Sequence, residues 1–416
     1  MGETQCTLFQ PDFNRSIHIE ARRDRLSADG GALVLRELLH RLGLDGWLSE
    51  RLADPRDPAR TTHAHEELLR TLLLLQGQGW SDQTDVEELR EDPVFRLAVS
   101  SRRGDHPLRP ARGPGEPEGL CSQPTLSRLL RTLFSEENRA GLDEALLELA
   151  DRRHGLRWRG PVREATLDLD SMAVEVHRHQ PGTAYNGHYG VRCYHPLVLR
   201  WSPGDFLSAR LRPGNVHTAD GAMSFALPAL RWARQRVRRL WLRVDAGFPS
   251  GPFLDAVEAE GVRYVARVKT HAVLERKAAP YLTRPRGRPP GEGRLWTHEL
   301  TYRAGSWSRK RRVVLVVLER PGEQGHLFLN HFFLLTSAPK EEVGAEELLS
   351  RYRRRGRARF RQHVLKVAAR ITLGSRRATV FLDVGRAPAW KALWRVMTEA
   401  YPARGSPTPE ARPLPA

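Results

Sequence analysis

The sequence predicts an α+β protein in which an all-α N-terminal domain precedes a mixed sheet with flanking helices and a β-rich insertion. Apolar residues recur at helical spacing from Gly31 to about Leu149, and the pattern changes to β-β-β-α-β-α-β from about Glu164. Strands dominate again between Lys269 and Ser337. These patterns place a helical domain at residues 1–160, the α+β domain at 161–400 with its insertion at about 270–338, and a disordered tail at 401–416.

The N-terminal helices are predicted from leucines three and four residues apart, such as Leu35, Leu38, Leu39 and Leu42. The stretch Ser122-Gln-Pro-Thr-Leu-Ser-Arg has a helix-start signature, in which a capping serine precedes a proline at an early helical position. The helix after Gln123 suits either the recognition helix of a helix-turn-helix or one member of an ordinary helical bundle.

The second half of the chain alternates strands and helices. Strands are predicted at residues 165–170, 193–201, 206–211, 240–244, 262–268, 312–318 and 328–335, with helices at 219–236 and 249–260. A long, strongly basic helix is predicted at 341–371.

Composition indicates a cytoplasmic protein with an acidic partner. The chain has 416 residues, with 67 lysines and arginines against 49 acidic residues, and its net charge of +18 favours nucleic acid as that partner. No apolar run reaches the roughly 18 residues of a membrane span. The three scattered cysteines, Cys6, Cys121 and Cys193, cannot form a disulfide framework or a thiolate zinc site. Secreted and membrane classes are therefore excluded.

Three aspartates are the candidate catalytic residues. Asp168 and Asp170 are two apart on a predicted strand, so both project from one face, while Asp245 ends another strand just before a glycine turn. Ligands usually bind where strands end in an α/β sheet. Carboxylates from two neighbouring strands suit Mg²⁺, which prefers hard oxygen ligands. The alternative is that each aspartate is an ordinary loop or cap residue.

The basic helix carries a recognisable spacing. Many DDE transposases of bacterial insertion sequences share the signature Tyr-(2)-Arg-(3)-Glu-(6)-Lys, and Tyr352, Arg355 and Lys366 resemble it. Other stretches, from about residue 10 to 395, resemble the thirteen-eighty family of insertion-sequence transposases in the same order. They are Ser27-Ala-Asp-Gly-Gly-Ala-Leu-Val-Leu-Arg, Asp54-Pro-Arg-Asp-Pro-Ala-Arg, Ser122-Gln-Pro-Thr-Leu-Ser-Arg, Tyr185-Asn-Gly-His-Tyr-Gly and Leu211-Arg-Pro-Gly-Asn.

This resemblance implies a ribonuclease-H-like core in which Asp170 and Asp245 hold two Mg²⁺ ions, with Asp168 as the alternative first ligand. It implies that Tyr352, Arg355 and Lys366 position the phosphates of the DNA end and that the helical domain at 1–160 binds DNA. Arg359 is a further candidate for DNA contact, because the high density of arginines on this helix favours binding to phosphates. Double-stranded DNA, as terminal inverted repeats and as target, is the implied partner of a homodimer in the bacterial cytoplasm, at the nucleoid and away from membranes. In related elements an inserted β domain holds the DNA end, so Trp296 and Trp307 are candidates for base stacking, with packing as the alternative.

The chain departs from the signature at one position. Arg359 stands where the resemblance implies a third acidic ligand, although Tyr352, Arg355 and Lys366 keep their spacing. His363 lies four residues later on the same predicted helical face, but imidazole suits Mg²⁺ poorly. The sequence therefore predicts an insertion-sequence transposase whose metal-dependent cleavage and strand transfer are impaired. The alternative is a non-catalytic DNA-binding protein derived from a transposase.

Overall fold

A computed structural model of the chain describes residues 6–9, 19–21, 25–102, 106–110, 119–157, 160–176, 180–201, 205–287, 293–321, 327–354, 369–373, 378–382, 391 and 395. The chain divides into two compact units, one formed from Met1–Leu142 and Ala358–Ala416 and the other from Asp143–Arg357. The domain boundary at 160/161 and the insertion limits stay predictions. The disordered tail at 401–416 lies outside the described residues.

The described part of the first unit combines helices with short strands. Its helices are α1 (Ala32–Leu42), α2 (Leu44–Arg51), α3 (His65–Gln78), α4 (Asp85–Glu88), α5 (Pro93–Val99) and α6 (Gln123–Leu133), and α7 (Glu136–Arg157) runs on into the second unit. Strand β1 (Cys6–Phe9) pairs with β2 (Ile19–Ala21), and β3 (Arg25–Ser27) pairs with β15 (Ala369–Leu373), which also pairs with β16 (Ala378–Leu382).

These strands correct the prediction of an all-α N-terminal domain. The β3 and β15 segments pair although most of the chain separates them. Local periodicity carries no information about such a partner, so a short strand among helices goes unnoticed. The helical part agrees with the prediction: α6 follows Ser122 at its N-cap and buries Leu126, Leu129 and Leu133 along one side.

The second unit is built on an eight-stranded sheet. Its strands in chain order are β4 (Val162–Ser171), β8 (Leu197–Trp201), β9 (Asp205–Arg210), β10 (Val237–Val244), β11 (Arg263–Val268), β12 (Arg294–Tyr302), β13 (Arg311–Pro321) and β14 (Leu327–Thr336). The spatial order is β12-β13-β14-β11-β10-β4-β8-β9. A separate small sheet has the order β5-β7-β6, from β5 (Val174–Glu175), β6 (Ala184–Asn186) and β7 (Val191–Tyr194).

The direction of the strands changes across the large sheet. Strands β4, β10 and β11 run parallel, whereas β4, β8 and β9 pair antiparallel. This arrangement is compatible with a ribonuclease-H-like fold. Strands β12, β13 and β14 extend the sheet antiparallel from β11. The β-rich segment is therefore continuous with the large sheet.

Each face of this sheet is covered by helices. One face packs against α8 (Ala222–Arg234), α9 (Gly251–Ala259) and α10 (Ala272–Ala278), through a core that includes Leu167, Leu169, Leu240, Leu242 and Val244. The other face carries α11 (Ala345–Arg353), which packs through Leu348 and Leu349 against Trp241 and Val265. The period-two alternation of β4 and β10 assigns alternate residues to these two layers.

Two further predictions are corrected. The basic helix predicted at 341–371 is a helix over Ala345–Arg353, and residues 369–371 belong to strand β15. Basic side chains predict that a segment is exposed to solvent, but they do not predict its secondary structure. The length of the helix was therefore overestimated from its arginine content. Trp307 is 4% exposed within the core on the α8 face, so it packs and offers no surface for base stacking. Arg355, Arg359, His363 and Lys366 lie outside the described residues.

Candidate active site

The predicted acids of β4 lie on the α11 face of the sheet. Leu167 and Leu169 enter the core on the α8 face, so Asp168 and Asp170 project to the opposite side. On the neighbouring strand β10, Trp241 lies in the cluster under α11, and Arg243 follows it two residues later on the same face. This face therefore combines acidic, basic and aromatic side chains.

Asp168 is held by arginine. The Arg243 guanidinium, 2% exposed, forms a two-point ion pair with Asp168: Nε donates to Oδ1, and Nη2 donates to Oδ2 at 2.8 Å. Arg200 on β8 adds a contact of 3.5 Å between Nη2 and Oδ2. Both carboxylate oxygens of Asp168 are thus engaged by cations, which leaves little negative charge for a metal ion.

Arg243 also fastens α11 to the sheet. Its Nη1 donates to the carbonyl oxygen of Arg351 in the last helical turn at 2.5 Å. The Arg351 side chain in turn lies over the Trp241 ring and binds Glu164 of β4 at 2.5 Å. A cation at a helix C-terminus also complements the helix dipole. These contacts hold the last turn of α11 against the sheet.

Asp170 and Asp245 lie beyond this ion pair on adjacent parallel strands. The sequence continues two residues beyond the Arg243–Asp168 pair to each acid: Asp170 is near the end of β4, and Asp245 directly follows the last residue of β10. Neighbouring strands are about 4.8 Å apart, and continuing the alternation of β10 places Asp245 on the α11 face. Asp168 thus forms an ion pair with arginine, whereas the roles of Asp170 and Asp245 as metal ligands stay a prediction.

Backbone turns orient both carboxylates. Asp170 Oδ1 accepts a hydrogen bond from the Ser171 N–H at 2.9 Å, and Asp245 Oδ1 accepts one from the Gly247 N–H at 2.8 Å. Gly247 has no room for a side chain, because a Cβ there would lie 2.7 Å from the Thr218 methyl group and 3.2 Å from Asp245 Oδ1. The loop that contains Thr218 therefore packs against the Asp245 turn.

The predicted DNA-contacting residues are only partly described. Tyr352 lies on α11 and is half-buried against the same cluster as Trp241. Arg353 and Arg354, at the end of that helix, are exposed. The roles of Tyr352, Arg355, Arg359 and Lys366 stay predictions.

A polar cleft of about 170 Å³ opens on the α11 face and is lined by Glu164, Ala165, Thr166, Arg243, Arg351 and Arg354. Thr166 and Asp170 are four residues apart on an extended strand, about 13 Å, so the cleft and Asp170 lie at different points along β4. Within the described ranges, no three His, Cys, Asp or Glu side chains cluster so as to hold a metal ion. The candidate metal ligands are the carboxylates of Asp170 and Asp245, whose hard oxygens suit a divalent cation.

Residues 9–370 match the family described as transposase DDE domain, group 1. The chain belongs to this family. No curated protein matches the chain. DDE transposases generally depend on divalent metal and act on DNA, and the chain has an excess of positive charge that suits DNA. No helix in the described part of this transposase-family chain has the length and hydropathy needed to cross a membrane.

Sequence reasoning missed Arg243. The signal was present, because Leu240-Trp-Leu-Arg-Val places one arginine inside an otherwise apolar strand. A charged residue in a buried strand requires a buried partner of opposite charge. Asp168 is the acid that the adjacent strand supplies, and it could have been set aside as a metal ligand on that ground.

Proposed function

We propose that this protein binds the terminal inverted repeats of an insertion sequence and that its own strand cleavage and transfer are impaired. The observation that supports the proposal is that Asp170 lies near the end of β4 and Asp245 directly follows β10, the neighbouring parallel strand. Acids in this relation suit phosphoryl transfer at a DNA end, and a net charge of +18 suits its phosphates.

The roles divide between acids and bases. Asp170 and Asp245, oriented by their backbone N–H donors, are the residues that would hold divalent metal, Mg²⁺ in the present proposal. Such an ion, when bound, activates water and stabilises the departing 3′ oxygen. Asp168 serves as the anchor of Arg243. Tyr352, Arg355 and Lys366 position the phosphates of the DNA end, and two copies of the chain bring two ends together.

Arg359 is the reason for the impairment. Two unit charges 4 Å apart interact by about 4 kcal/mol at an effective dielectric near 20. A guanidinium in the place of a third carboxylate turns attraction for the cation into repulsion of that order. It also supplies a competing partner for Asp170 and Asp245. Binding of DNA, which needs positive charge, is retained.

The test is a strand-nicking assay on the element's own terminal repeats with Mg²⁺ or Mn²⁺. The unaltered chain is expected to bind the repeats and to cut them poorly, while Arg359→Glu gains cleavage at the repeat ends. The matched control is Arg357→Glu, which makes the same charge change two residues away and gains nothing. Adding Asp170→Asn to Arg359→Glu abolishes the gain.

Two results would change the conclusion. Robust cleavage by the unaltered chain would refute the impairment. Repeat binding without any cleavage by Arg359→Glu would make the chain a non-catalytic DNA-binding protein derived from a transposase, whose loss of activity extends beyond position 359.

A further inference from the structure

The loop between β9 and α8 contacts the turn that follows Asp245. This β9–α8 loop, residues 211–221, begins with the stretch Leu211-Arg-Pro-Gly-Asn, to which the proposed function assigns no role. A Cβ at Gly247 would lie 2.7 Å from the Thr218 methyl group, so that methyl group rests directly on the Gly247 backbone. The Gly247 N–H in turn donates to Asp245 Oδ1 at 2.8 Å. The position of the β9–α8 loop therefore limits where the Asp245 carboxylate lies.

Arg212 holds the β9–α8 loop from within. This residue is 7% exposed, and its Nη1 donates to the carbonyl oxygens of His217, Thr218 and Asp220 at 3.3, 3.2 and 2.5 Å. Its Nε donates to the carbonyl oxygen of His195 at 2.9 Å, and the His195 N–H donates back to the Arg212 carbonyl oxygen at 2.9 Å. Because the guanidinium is planar and its donors form a rigid fork, these contacts fix the positions of the four carbonyl groups relative to one another.

The buried charge of Arg212 serves these carbonyl groups rather than an acid. Within the described residues its hydrogen bonds run to backbone carbonyls, and no carboxylate forms a salt bridge with it. Its Nη2 is buried and has no hydrogen-bond partner there. Burying a charge and leaving a buried donor unpaired both cost free energy, and an apolar side chain of similar volume would avoid both costs. Stability of the core is therefore a poor explanation for Arg212, and the geometry of the loop is a better one.

A second contact anchors the start of the same loop. Asn186 belongs to the stretch Tyr185-Asn-Gly-His-Tyr-Gly, is 8% exposed and donates from Nδ2 to the carbonyl oxygen of Gly214 at 2.6 Å. Its Oδ1 accepts two backbone N–H groups of its own turn, which fixes the amide in this orientation. Gly214 has no space for a side chain, because a Cβ there would lie 2.4 Å from the carbonyl oxygens of Ala184 and Cys193. The β9–α8 loop is thus fastened to the small sheet at its beginning as well.

We propose that Arg212 is a positioning residue for Asp245 and that it acts through the β9–α8 loop. The loop transmits its position by the contact of Thr218 with Gly247, whose N–H binds the Asp245 carboxylate. This inference rests on the proposed function, in which Asp245 is a ligand of the divalent cation, and it adds a residue that touches neither the cation nor DNA. Groups that orient a metal ligand typically change metal affinity by about 10- to 100-fold when they are replaced.

The experiment measures Mn²⁺ affinity by electron paramagnetic resonance, in which the free ion gives the signal. It uses the Arg359→Glu chain, because the proposed function expects this chain to bind the cation more tightly. Adding Arg212→Lys keeps the charge but removes the planar fork, and the dissociation constant for Mn²⁺ is expected to rise by about 10- to 100-fold. The matched control is Arg210→Lys, the same change at an exposed position two residues earlier, which leaves the affinity unchanged. Equal affinities of the Arg212→Lys and Arg210→Lys chains would overturn the proposal.

A pair of substitutions at Thr218 tests the same contact without removing a buried charge. Thr218→Ser removes the methyl group that rests on Gly247, whereas Thr218→Val keeps a methyl group there and removes only the hydroxyl. The Thr218→Ser chain is expected to bind Mn²⁺ more weakly than the Arg359→Glu parent, and the Thr218→Val chain to bind like the parent. Circular dichroism establishes that both chains are folded under the conditions of the titration. If Arg212→Lys does not fold, equal affinities of the two Thr218 variants overturn the proposal.

Failure of the proposed function gives a different pattern. If the Arg359→Glu chain binds Mn²⁺ equally with and without Asp245→Asn, or does not bind it at all, the metal role of Asp245 is refuted. The positioning is then measured from the Gly247 amide resonance in chains with isotopically labelled glycine, in which Gly247→Ala identifies the signal by its absence. A resonance that moves in Arg212→Lys and in Thr218→Ser supports positioning of the turn. A resonance that moves in neither variant would refute the positioning alone.

Discussion

Two aspartates of strand β4, Asp168 and Asp170, differ in the partners of their carboxylates. Asp168 and Asp170 share a face of β4, and alternation alone makes them equal candidates for the same role. The adjacent strand distinguishes them, because Arg243 pairs with Asp168 in the register and neutralises it. Asp170, two residues further along β4, accepts a hydrogen bond from the Ser171 N–H and is the acid proposed to hold metal with Asp245.

Asp168→Asn is expected to destabilise the protein by about 3–5 kcal/mol, because it leaves the buried Arg243 guanidinium without its counter-charge. The free energy of unfolding in urea measures this loss. Asp170→Asn is the control at the same face of the same strand and is expected to cost less than about 1 kcal/mol. Equal losses for the two variants would contradict the division of roles.

At the scale of elements, buried ion pairs join the helices to the sheet. Helix α9 is tied to β13 through Glu258, which accepts from Arg311 Nε at 2.8 Å. Tyr264 of β11 donates to the same carboxylate at 2.7 Å, and Arg309 also pairs with it. Burial raises the pKa of Glu258, but the hydrogen bonds from Arg311, Arg309 and Tyr264 outweigh burial, so its pKa lies below the ordinary value.

This cluster predicts a loss of stability in acid. A carboxyl whose pKa is lower in the folded state stabilises that state above the unfolded pKa, here about 4.5, and the contribution disappears as the pH falls through the folded value. Glu258→Gln is therefore expected to cost about 1.5–3 kcal/mol near pH 7 and progressively less below about pH 4.5. Urea unfolding of both chains from pH 7 to pH 3 measures the difference. A difference that stays constant with pH would contradict the prediction.

The arginine-rich segment shows how far an element can be predicted. The helix predicted there is present over Ala345–Arg353, and Leu348 and Leu349 bury it against the sheet. The extension of this helix to Ile371 was wrong, since β15 pairs with β3 and β16. Arginine occurs in exposed helices and in exposed strands. Residues 369–371 form a strand because they pair with β3 and β16.

For the whole molecule the excess of basic residues predicts a steep salt dependence of DNA binding. Each phosphate neutralised by lysine or arginine releases counterions. With about six to ten such contacts the affinity for the terminal repeat falls by about 10³–10⁵-fold between 50 and 200 mM salt. Fluorescence anisotropy over that range measures the slope, with scrambled duplex as the control for repeat recognition. An affinity independent of salt would contradict a phosphate-based interface.

The sequence by itself determined most elements of the large sheet and its helices, the two candidate acids, the charge that suits DNA and the family resemblance, because periodicity, spacing and composition are local properties of the chain. Tertiary structure decided what depends on partners distant in sequence. In the folded chain β12, β13 and β14 extend the large sheet, and β3 pairs with β15. Trp307 is buried, and Asp168 forms an ion pair with Arg243. Strand order and ion pairing follow from which segments meet in space, and no local pattern encodes that.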